Sequence, residues 1–345
     1  MLVPVPRDGG LHLAVIGVLL ALSLRFDIGP LALIALFVAG VDLRIVSIGA
    51  GYSDVGVVMR AGIDLALAGG NPYGVGYPVS SPPGAPFAYG PLALLWYLPP
   101  AEPWVMEMAV SIVILALLTL RGGTMGLAIY ATLPILAGLA SDGSNDTSAG
   151  LLLLIGLVLL ERVPRAGALV LGLAIAFKPY ALAWLPPLFM WGGAGATAVA
   201  LAGAAIFWLP ALIAWGPAAV LRSFQLAESI HAAPYYSLAV LLQRFLGPVP
   251  AELMIIFRLV AGGVTVVAIL PFVRSHAAVV VGGTLIYLVT LFSGYWATFA
   301  YFAAIAPVLC WYLDDWLGPD DGRVRWPGAA ANAIEEAIDR RWRRA

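Results

Sequence analysis

The chain has 345 residues, of which 62% are hydrophobic and only 11% are charged, with 18 basic residues against 19 acidic ones. Soluble domains carry about 25% charged residues. This composition therefore excludes a soluble enzyme and a disordered chain, and the balanced charge excludes a nucleic-acid-binding protein. The mean hydropathy of +0.96 indicates an all-α, polytopic membrane protein instead.

Apolar stretches recur along the chain and predict roughly 10–12 membrane segments, several of them shorter than the ~20 residues of a straight crossing. The interruption at Lys178-Pro179 predicts a helix that enters the membrane, unwinds and returns. Whether the first stretch spans the membrane is left open by the sequence. The predicted segments are 11–24, 28–48, 103–120, 124–140, 147–160, 166–177, 180–191, 195–215, 251–273, 277–292 and 296–313.

The basic residues predict the orientation of these segments, because positive loops stay on the cytoplasmic side. Residues 1–313 are expected to form one transmembrane domain, in which loops 49–102 and 216–250 face the exoplasm. Residues 314–345 are expected to form a cytoplasmic tail with an amphipathic helix. The chain is thus predicted to be a multi-pass protein of the plasma (inner) membrane. The arginines used are Arg121, Arg162, Arg165, Arg274 and those of the tail.

The loop 49–102 contains a stretch, 54–67, with helical periodicity that predicts a short helix on the membrane surface. A run rich in turn-forming and aromatic residues follows it, and residues 92–98 predict a second interfacial or re-entrant helix. The loop 216–250 has the same character, with an amphipathic stretch that precedes Pro234-Tyr235-Tyr236-Ser237.

Lys178 is the only lysine in the chain and lies within an apolar stretch at the predicted helix break. Charges at membrane depth are costly and therefore indicate function, and a compact ammonium suits a phosphate. The alternative is a lysine that extends along a helix to the membrane surface.

Asp54 begins the predicted surface helix, where a carboxylate beside apolar surface suits a general base. The spacing equally allows Ser53-Asp54 to cap the helix. The polar loop with Asp142, Asn145 and Asp146 is either a solvated turn or part of a site. His231 and Trp296 lie near the exoplasmic interface, where a structural histidine and an aromatic belt are the plainer interpretations.

Three motifs follow one another along the chain, with a looser fourth at Ser293-Gly294-Tyr295-Trp296. The first runs from Ser53-Asp54-Val55 through Ala68-Gly69-Gly70-Asn71-Pro72-Tyr73 to Phe87-Ala88-Tyr89-Gly90-Pro91-Leu92; the second is Gly143-Ser144-Asn145 followed by Gly172-Leu173-Ala174 and Lys178-Pro179; the third is Tyr235-Tyr236-Ser237-Leu238 with Arg244. Taken together, these motifs resemble those of the GT-C superfamily of membrane glycosyltransferases, and most closely those of glycosyltransferase family 87.

The resemblance implies a GT-C fold and the inverting transfer of a sugar, expected to be mannose, from a polyprenyl phosphate to a lipid or glycan acceptor on the exoplasmic face. Asp54 would be the general base, while Lys178, Arg222 and Arg244 would bind the donor phosphate. The substrate-binding residues expected from it and from the loops are Arg60, Tyr89, Asn145, His231 and Trp296.

The chain departs from the family pattern after Trp296, where Ala297-Thr298-Phe299 stands in place of histidines. The first-loop motif also lacks the second acidic residue that some GT-C relatives use for a metal. No cofactor is therefore predicted, and a divalent metal is an alternative that no motif indicates. The expected partners are the lipid-linked donor, the acceptor, membrane lipids and a further membrane protein. Two other functions stay open: a non-catalytic subunit on a degenerate GT-C scaffold, and a transporter or flippase of an anionic lipid-linked substrate.

Overall fold

The computed structural model describes residues 17–18, 29–49, 53–100, 102–231 and 234–317. The predicted segment 11–24 lies outside this part of the chain except for residues 17–18. The predicted amphipathic helix of the tail lies outside it entirely.

The described residues are almost entirely helical, which confirms the predicted all-α class. Two-residue strands β1 (Gly76–Tyr77) and β2 (Ala85–Pro86) pair antiparallel within the loop 49–102. Turns of 3₁₀-helix occupy Pro179–Trp184 and Leu270–Phe272. The helices are α1 (Gly29–Val46), α2 (Val55–Leu67), α3 (Pro91–Trp96), α4 (Pro103–Arg121), α5 (Thr124–Thr132), α6 (Pro134–Ser141), α7 (Asp146–Arg162), α8 (Pro164–Phe177), α9 (Leu185–Trp215), α10 (Pro217–Ser229), α11 (Leu238–Leu246), α12 (Ala251–Ile269), α13 (His276–Phe292) and α14 (Ala300–Leu317).

Within the described ranges, four helical stretches are long and apolar enough to cross a membrane: Gly29–Val46, Pro103–Arg121, Pro179–Trp215 and Ala251–Phe272. Helices α5 and α6 would make a fifth crossing if they act as one, although they are bent by 58° at Leu133-Pro134. Large apolar side chains remain exposed along α12, which suits contact with lipid rather than water. The chain is therefore that of a helical membrane protein.

The chain divides into two compact units. One comprises residues 1–50, 109–138 and 309–345, and the other comprises residues 51–108 and 139–308. The prediction of a single domain over 1–313 stays a prediction.

In the first unit a buried arginine joins three elements. Arg44 of α1 donates hydrogen bonds to Ser111 Oγ at 2.5 Å and to the carbonyl oxygens of Gly40 and Tyr130 at 2.8 and 3.1 Å. Its guanidinium also lies over the Tyr130 ring, 4.8 Å from the centroid. These contacts satisfy a charge that would otherwise be costly to bury.

In the second unit, small residues bring α7, α8 and α9 into close contact. A Cβ atom on Gly167 would lie 2.3 Å from the backbone nitrogen of Leu160, and one on Gly172 would lie 2.1 Å from the Ala200 carbonyl oxygen. Glycine at such positions lets membrane helices pack backbone to backbone. This packing holds α7 beside α8, the helices that begin at Asp146 and end just before Lys178.

The structure confirms the helix break at Lys178-Pro179. Helix α8 ends at Phe177, and Lys178 has an extended backbone with φ −140° and ψ 118°. The predicted interruption between segments 180–191 and 195–215 is confirmed as a kink within α9. It lies at Gly193, whose φ of 70° and ψ of −174° are not helical, and the helical segments that begin at Leu185 and end at Trp215 meet there.

Two other predicted boundaries change. The stretch 54–67 is confirmed as a helix that begins at Val55, with Val58, Met59 and Ile63 buried. The last predicted segment, 296–313, instead forms α14 and runs on to Leu317. It continues because Asp314 accepts hydrogen bonds from the first N–H groups of α5 and Asp315 pairs with Arg121.

We expect Gly90→Ala to destabilise the protein by about 1–3 kcal/mol, the usual cost of overpacking. The new methyl group would lie 1.9 Å from the Ala176 carbonyl oxygen. Gly195→Ala is the matched control, because no atom lies within 4 Å of its Cβ position. Thermal unfolding of the purified chain in detergent measures both. A Gly90→Ala variant as stable as wild type would contradict the close contact between Gly90 and the end of α8.

Candidate functional site

A buried ion pair lies at the break between α8 and the following 3₁₀ turn. Lys178 Nζ is 2.6 Å from Asp146 Oδ1, and the two side chains are only 6% and 2% exposed. The hydroxyl of Tyr180 donates to the same oxygen at 2.6 Å, and Ser144 donates to the other oxygen at 3.2 Å. Lys178 is therefore not a lysine that extends to the membrane surface, and Asp146 is not part of a solvated turn.

Aromatic rings surround the ammonium group of Lys178. Its Nζ lies 5.5 Å from the ring centroid of Tyr89 and 5.1 Å from that of Tyr180, within the range of cation–π attraction. Tyr89 is held there because the next residue, Gly90, donates its N–H to the Phe177 carbonyl oxygen at 2.9 Å. Sequence resemblance placed Tyr89 in the pocket, and the structure places it beside Lys178.

Asp54 precedes the first turn of α2, and its carbonyl oxygen accepts the Val58 N–H. Its side chain forms no capping hydrogen bond. The carboxylate instead accepts the Ser81 N–H at 2.8 Å through Oδ2. The capping interpretation is therefore wrong for the side chain, which is half-buried and directed to another part of the same loop.

The charge of Asp54 affects the pKa of two of the predicted aromatic residues, Tyr89 and His231. Burial raises the pKa of Tyr89, and the charges of Asp146 and Asp54 raise it further. Burial lowers the pKa of His231, while the negative charge of Asp54 partly offsets that change. Tyr89 is thus under the influence of both Asp54 and the Lys178–Asp146 pair.

His231 and Trp296 form a stack. Their ring centroids are 3.9 Å apart and the ring planes differ by 1°. Several hydrogen bonds fix the segment of Trp296: the Ala297 N–H donates to the Tyr235 carbonyl oxygen at 2.8 Å, and Arg258 donates to the Trp296 carbonyl oxygen at 3.2 Å. The two half-buried rings therefore present a fixed aromatic surface.

Asn145 begins α7, one residue before Asp146, and is 1% exposed. Neither its Nδ2 nor its Oδ1 atom has a hydrogen-bond partner among the described residues. The loop before it packs against the first turn of α2, since a Cβ on Gly56 would lie 3.1 Å from the Asp142 carbonyl oxygen. Asn145 is therefore a buried, unsatisfied amide that directly precedes Asp146 of the ion pair, in a loop that packs against the first turn of α2.

The three predicted arginines have other surroundings in the structure. Arg60 forms an ion pair with Glu102 at 2.6 Å. Arg222 on α10 and Arg244 on α11 are exposed. Their roles in binding phosphate or substrate stay predictions.

Sequence reasoning missed three participants. Asp146 was recognised only as part of a polar loop, and Tyr180 was not singled out. Glu107 of α4 is fully buried and accepts hydrogen bonds from Tyr97 at 2.5 Å and from the Ser148 N–H at 3.0 Å. A carboxylate inside an apolar segment was a signal that could have identified Glu107.

Within the described ranges, no three His, Cys, Asp or Glu side chains gather in a way that could hold a metal ion. Comparison with known proteins identifies no relative. No family model matches the chain, and neither a curated protein nor a solved structure matches it. The basis for assigning a function is therefore the arrangement of side chains in the second unit.

We expect Lys178→Met to destabilise the protein by about 3–5 kcal/mol, because it leaves the Asp146 carboxylate buried without its cation. The double variant Lys178→Met/Asp146→Asn should recover much of this loss, because the unpaired charge is gone. Thermal unfolding of the two single variants and the double variant in lipid nanodiscs measures the coupling. If the double variant lost as much stability as the two single variants together, the result would contradict a buried ion pair.

We expect His231 to titrate below the usual value of about 6.5, because burial disfavours its charged form. Asp54→Asn should lower the midpoint further, since it removes the charge that favours protonation. Nuclear magnetic resonance of isotope-labelled histidines measures this, with His231→Gln to assign the signal. A midpoint that rises in Asp54→Asn would show that the two groups do not interact as described.

Proposed function

We propose that this chain is an integral membrane glycosyltransferase that moves a sugar, expected to be mannose, from a polyprenyl phosphate to a hydroxyl group of a lipid or glycan acceptor. The observation that carries the proposal is the grouping of Asp54, Tyr89 and the Lys178–Asp146 pair in one unit of a membrane protein. This grouping combines a partly accessible carboxylate (Asp54), an aromatic ring (Tyr89) and a buried cation (Lys178). The motif resemblance to GT-C enzymes supports the same assignment.

Asp54 would act as the general base. Its half-buried carboxylate would accept the proton of the acceptor hydroxyl, and that oxygen would attack the anomeric carbon of the donor sugar. The bond between the anomeric carbon and the phosphate oxygen would break as the new glycosidic bond forms. Attack from the side opposite the leaving group inverts the configuration, and polyprenyl phosphate leaves with the bonding electrons.

Lys178 would stabilise the charge that develops on the leaving phosphate. An ammonium group has three N–H donors, and the contact with Asp146 uses one of them. A cation held in place before the reaction does not need to reorganise during it, which is the main source of electrostatic catalysis. Asp146 is then a positioning residue: it holds Lys178 in place, and the buried pair as a whole has no net charge.

The stacked rings of His231 and Trp296, with Tyr89, would bind the sugar. The apolar face of a pyranose ring packs well on a flat aromatic surface. Exposed apolar side chains on the membrane-spanning helices offer a surface for the polyprenyl chain. In this arrangement the sugar and its phosphate lie at the boundary between membrane and water, while the polyprenyl chain stays in the membrane. We place this boundary on the exoplasmic side.

A second candidate is transport of an anionic lipid-linked substrate. It is favoured by one observation, the charged pair at a helix break in a membrane protein. A transporter forms no glycosidic bond, so the assay below separates the two. A non-catalytic subunit would likewise give no product.

We expect Asp54→Asn to lower sugar transfer by a factor of about 10²–10⁴, the usual contribution of a general base. Asp64→Asn is the matched control, because Asp64 is exposed on the same helix and the substitution is chemically identical. The assay follows radiolabelled mannose from polyprenyl phosphate into lipid or glycan product, with the purified chain in nanodiscs.

Two outcomes would contradict the proposal. Equal transfer by wild type and Asp54→Asn would remove Asp54 from the mechanism. The absence of any product from wild type, with labelled donor moved across the bilayer of proteoliposomes, would favour the transporter.

A further inference from the structure

The buried amide of Asn145 is the least explained polar group near the candidate site. Both of its polar atoms lack partners within the described ranges, although the residue is 1% exposed. Buried polar groups are nearly always hydrogen-bonded, and an unsatisfied one destabilises the fold. A group that persists at such a cost, directly beside Asp146 and Lys178, points to a ligand that completes its hydrogen bonds.

The chemistry of the amide restricts what that ligand is. An asparagine side chain donates through its NH₂ group and accepts through its carbonyl oxygen, and both functions are unused here. A phosphate diester has only acceptor oxygens and would satisfy the NH₂ group alone. A sugar hydroxyl both donates and accepts, so adjacent hydroxyls on one ring match the two sides of the amide.

The charges around Asn145 favour the same choice. Asp146 follows it directly, and Asp142 lies three residues earlier, where its Oδ1 accepts the Ser144 N–H at 2.9 Å. Two carboxylates in one short loop repel a phosphate but do not disfavour a neutral polyol. The cation of the cluster, Lys178, donates to Asp146 Oδ1, and no hydrogen bond joins it to Asn145 among the described residues.

We propose that Asn145 recognises hydroxyl groups of the transferred sugar, and not the phosphate of the donor. This inference rests on the proposed function, because it assigns the sugar and the phosphate of the lipid-linked donor to two different side chains. Asn145 binds the sugar through a paired hydrogen bond, and Lys178 faces the phosphate. Asn145 is thus a specificity-determining residue that distinguishes the loaded donor from the spent lipid phosphate.

The test compares two short-chain probes, farnesyl-phosphoryl mannose and farnesyl phosphate, of which the second lacks the sugar and has a phosphate monoester in place of the diester. Binding of each to the full chain in nanodiscs is measured by titration calorimetry for wild type, Asn145→Leu and Gln225→Ala. Asn145→Leu replaces the amide by an apolar group of similar shape. Gln225→Ala is the matched control, since it removes a side-chain amide from an exposed position of α10.

Asn145→Leu should weaken the binding of farnesyl-phosphoryl mannose roughly tenfold, the scale of two net hydrogen bonds, and leave the binding of farnesyl phosphate unchanged. Its melting temperature should equal or exceed that of wild type, because an unsatisfied group has been removed without a cavity. Gln225→Ala should bind both probes as wild type does.

Three results would overturn the inference. Equal weakening for both probes would mean that the amide contacts the phosphate. Wild-type binding of both probes by Asn145→Leu would mean that the amide contacts neither, and failure of wild type to distinguish the probes would mean that the sugar is not read at all. Failure of the proposed function looks different: the Asn145-dependent preference for the sugar probe would persist while no sugar is transferred.

Discussion

The contact on which the site depends is the buried ion pair of Lys178 and Asp146. Lysine cannot stay charged in an apolar helix bundle without an anion, and Asp146 at the start of α7 supplies it from the neighbouring helix. The break at Lys178-Pro179 permits this contact. Helix α8 ends at Phe177, and the extended backbone of Lys178 allows its side chain to reach Asp146 of α7. Tyr180 and Tyr89 then enclose the pair and exclude water, so the cation is fixed before any ligand arrives.

A second constraint joins this pair to the loops. Tyr89 lies beside Lys178, and the charge of Asp54 contributes to raising its pKa, so it is the residue through which the buried cation and that carboxylate are related. The stack of His231 on Trp296 adds an aromatic surface that Arg258 and the Tyr235 segment hold in place. In the proposed mechanism, acid–base chemistry, sugar contact and charge stabilisation would therefore be performed by separate residues.

The sequence predicted the parts of this arrangement that depend on local chemistry. Apolar length revealed the spanning helices, periodicity revealed the surface helix 55–67, and proline at 179 revealed the break. It did not predict the partner of Lys178, because the contact between residues 146 and 178 depends on how α7 packs against α8. The glycines at 192 and 193 also indicated the interruption of α9, where Gly193 takes a non-helical conformation. The satisfied carboxylate of Glu107 was missed for the same reason: its partners come from distant parts of the chain.

The central claim is that Asp54 and Lys178 act on one lipid-linked sugar. An experimental structure of the chain in nanodiscs with a non-hydrolysable phosphonate analogue of farnesyl-phosphoryl mannose tests it most directly. The account predicts the phosphonate oxygens within hydrogen-bond distance of Lys178 Nζ, the sugar ring against Trp296 and Asn145, and the anomeric carbon on the side of Asp54. A phosphonate bound elsewhere, with the Lys178–Asp146 pair separated from the ligand, would contradict it.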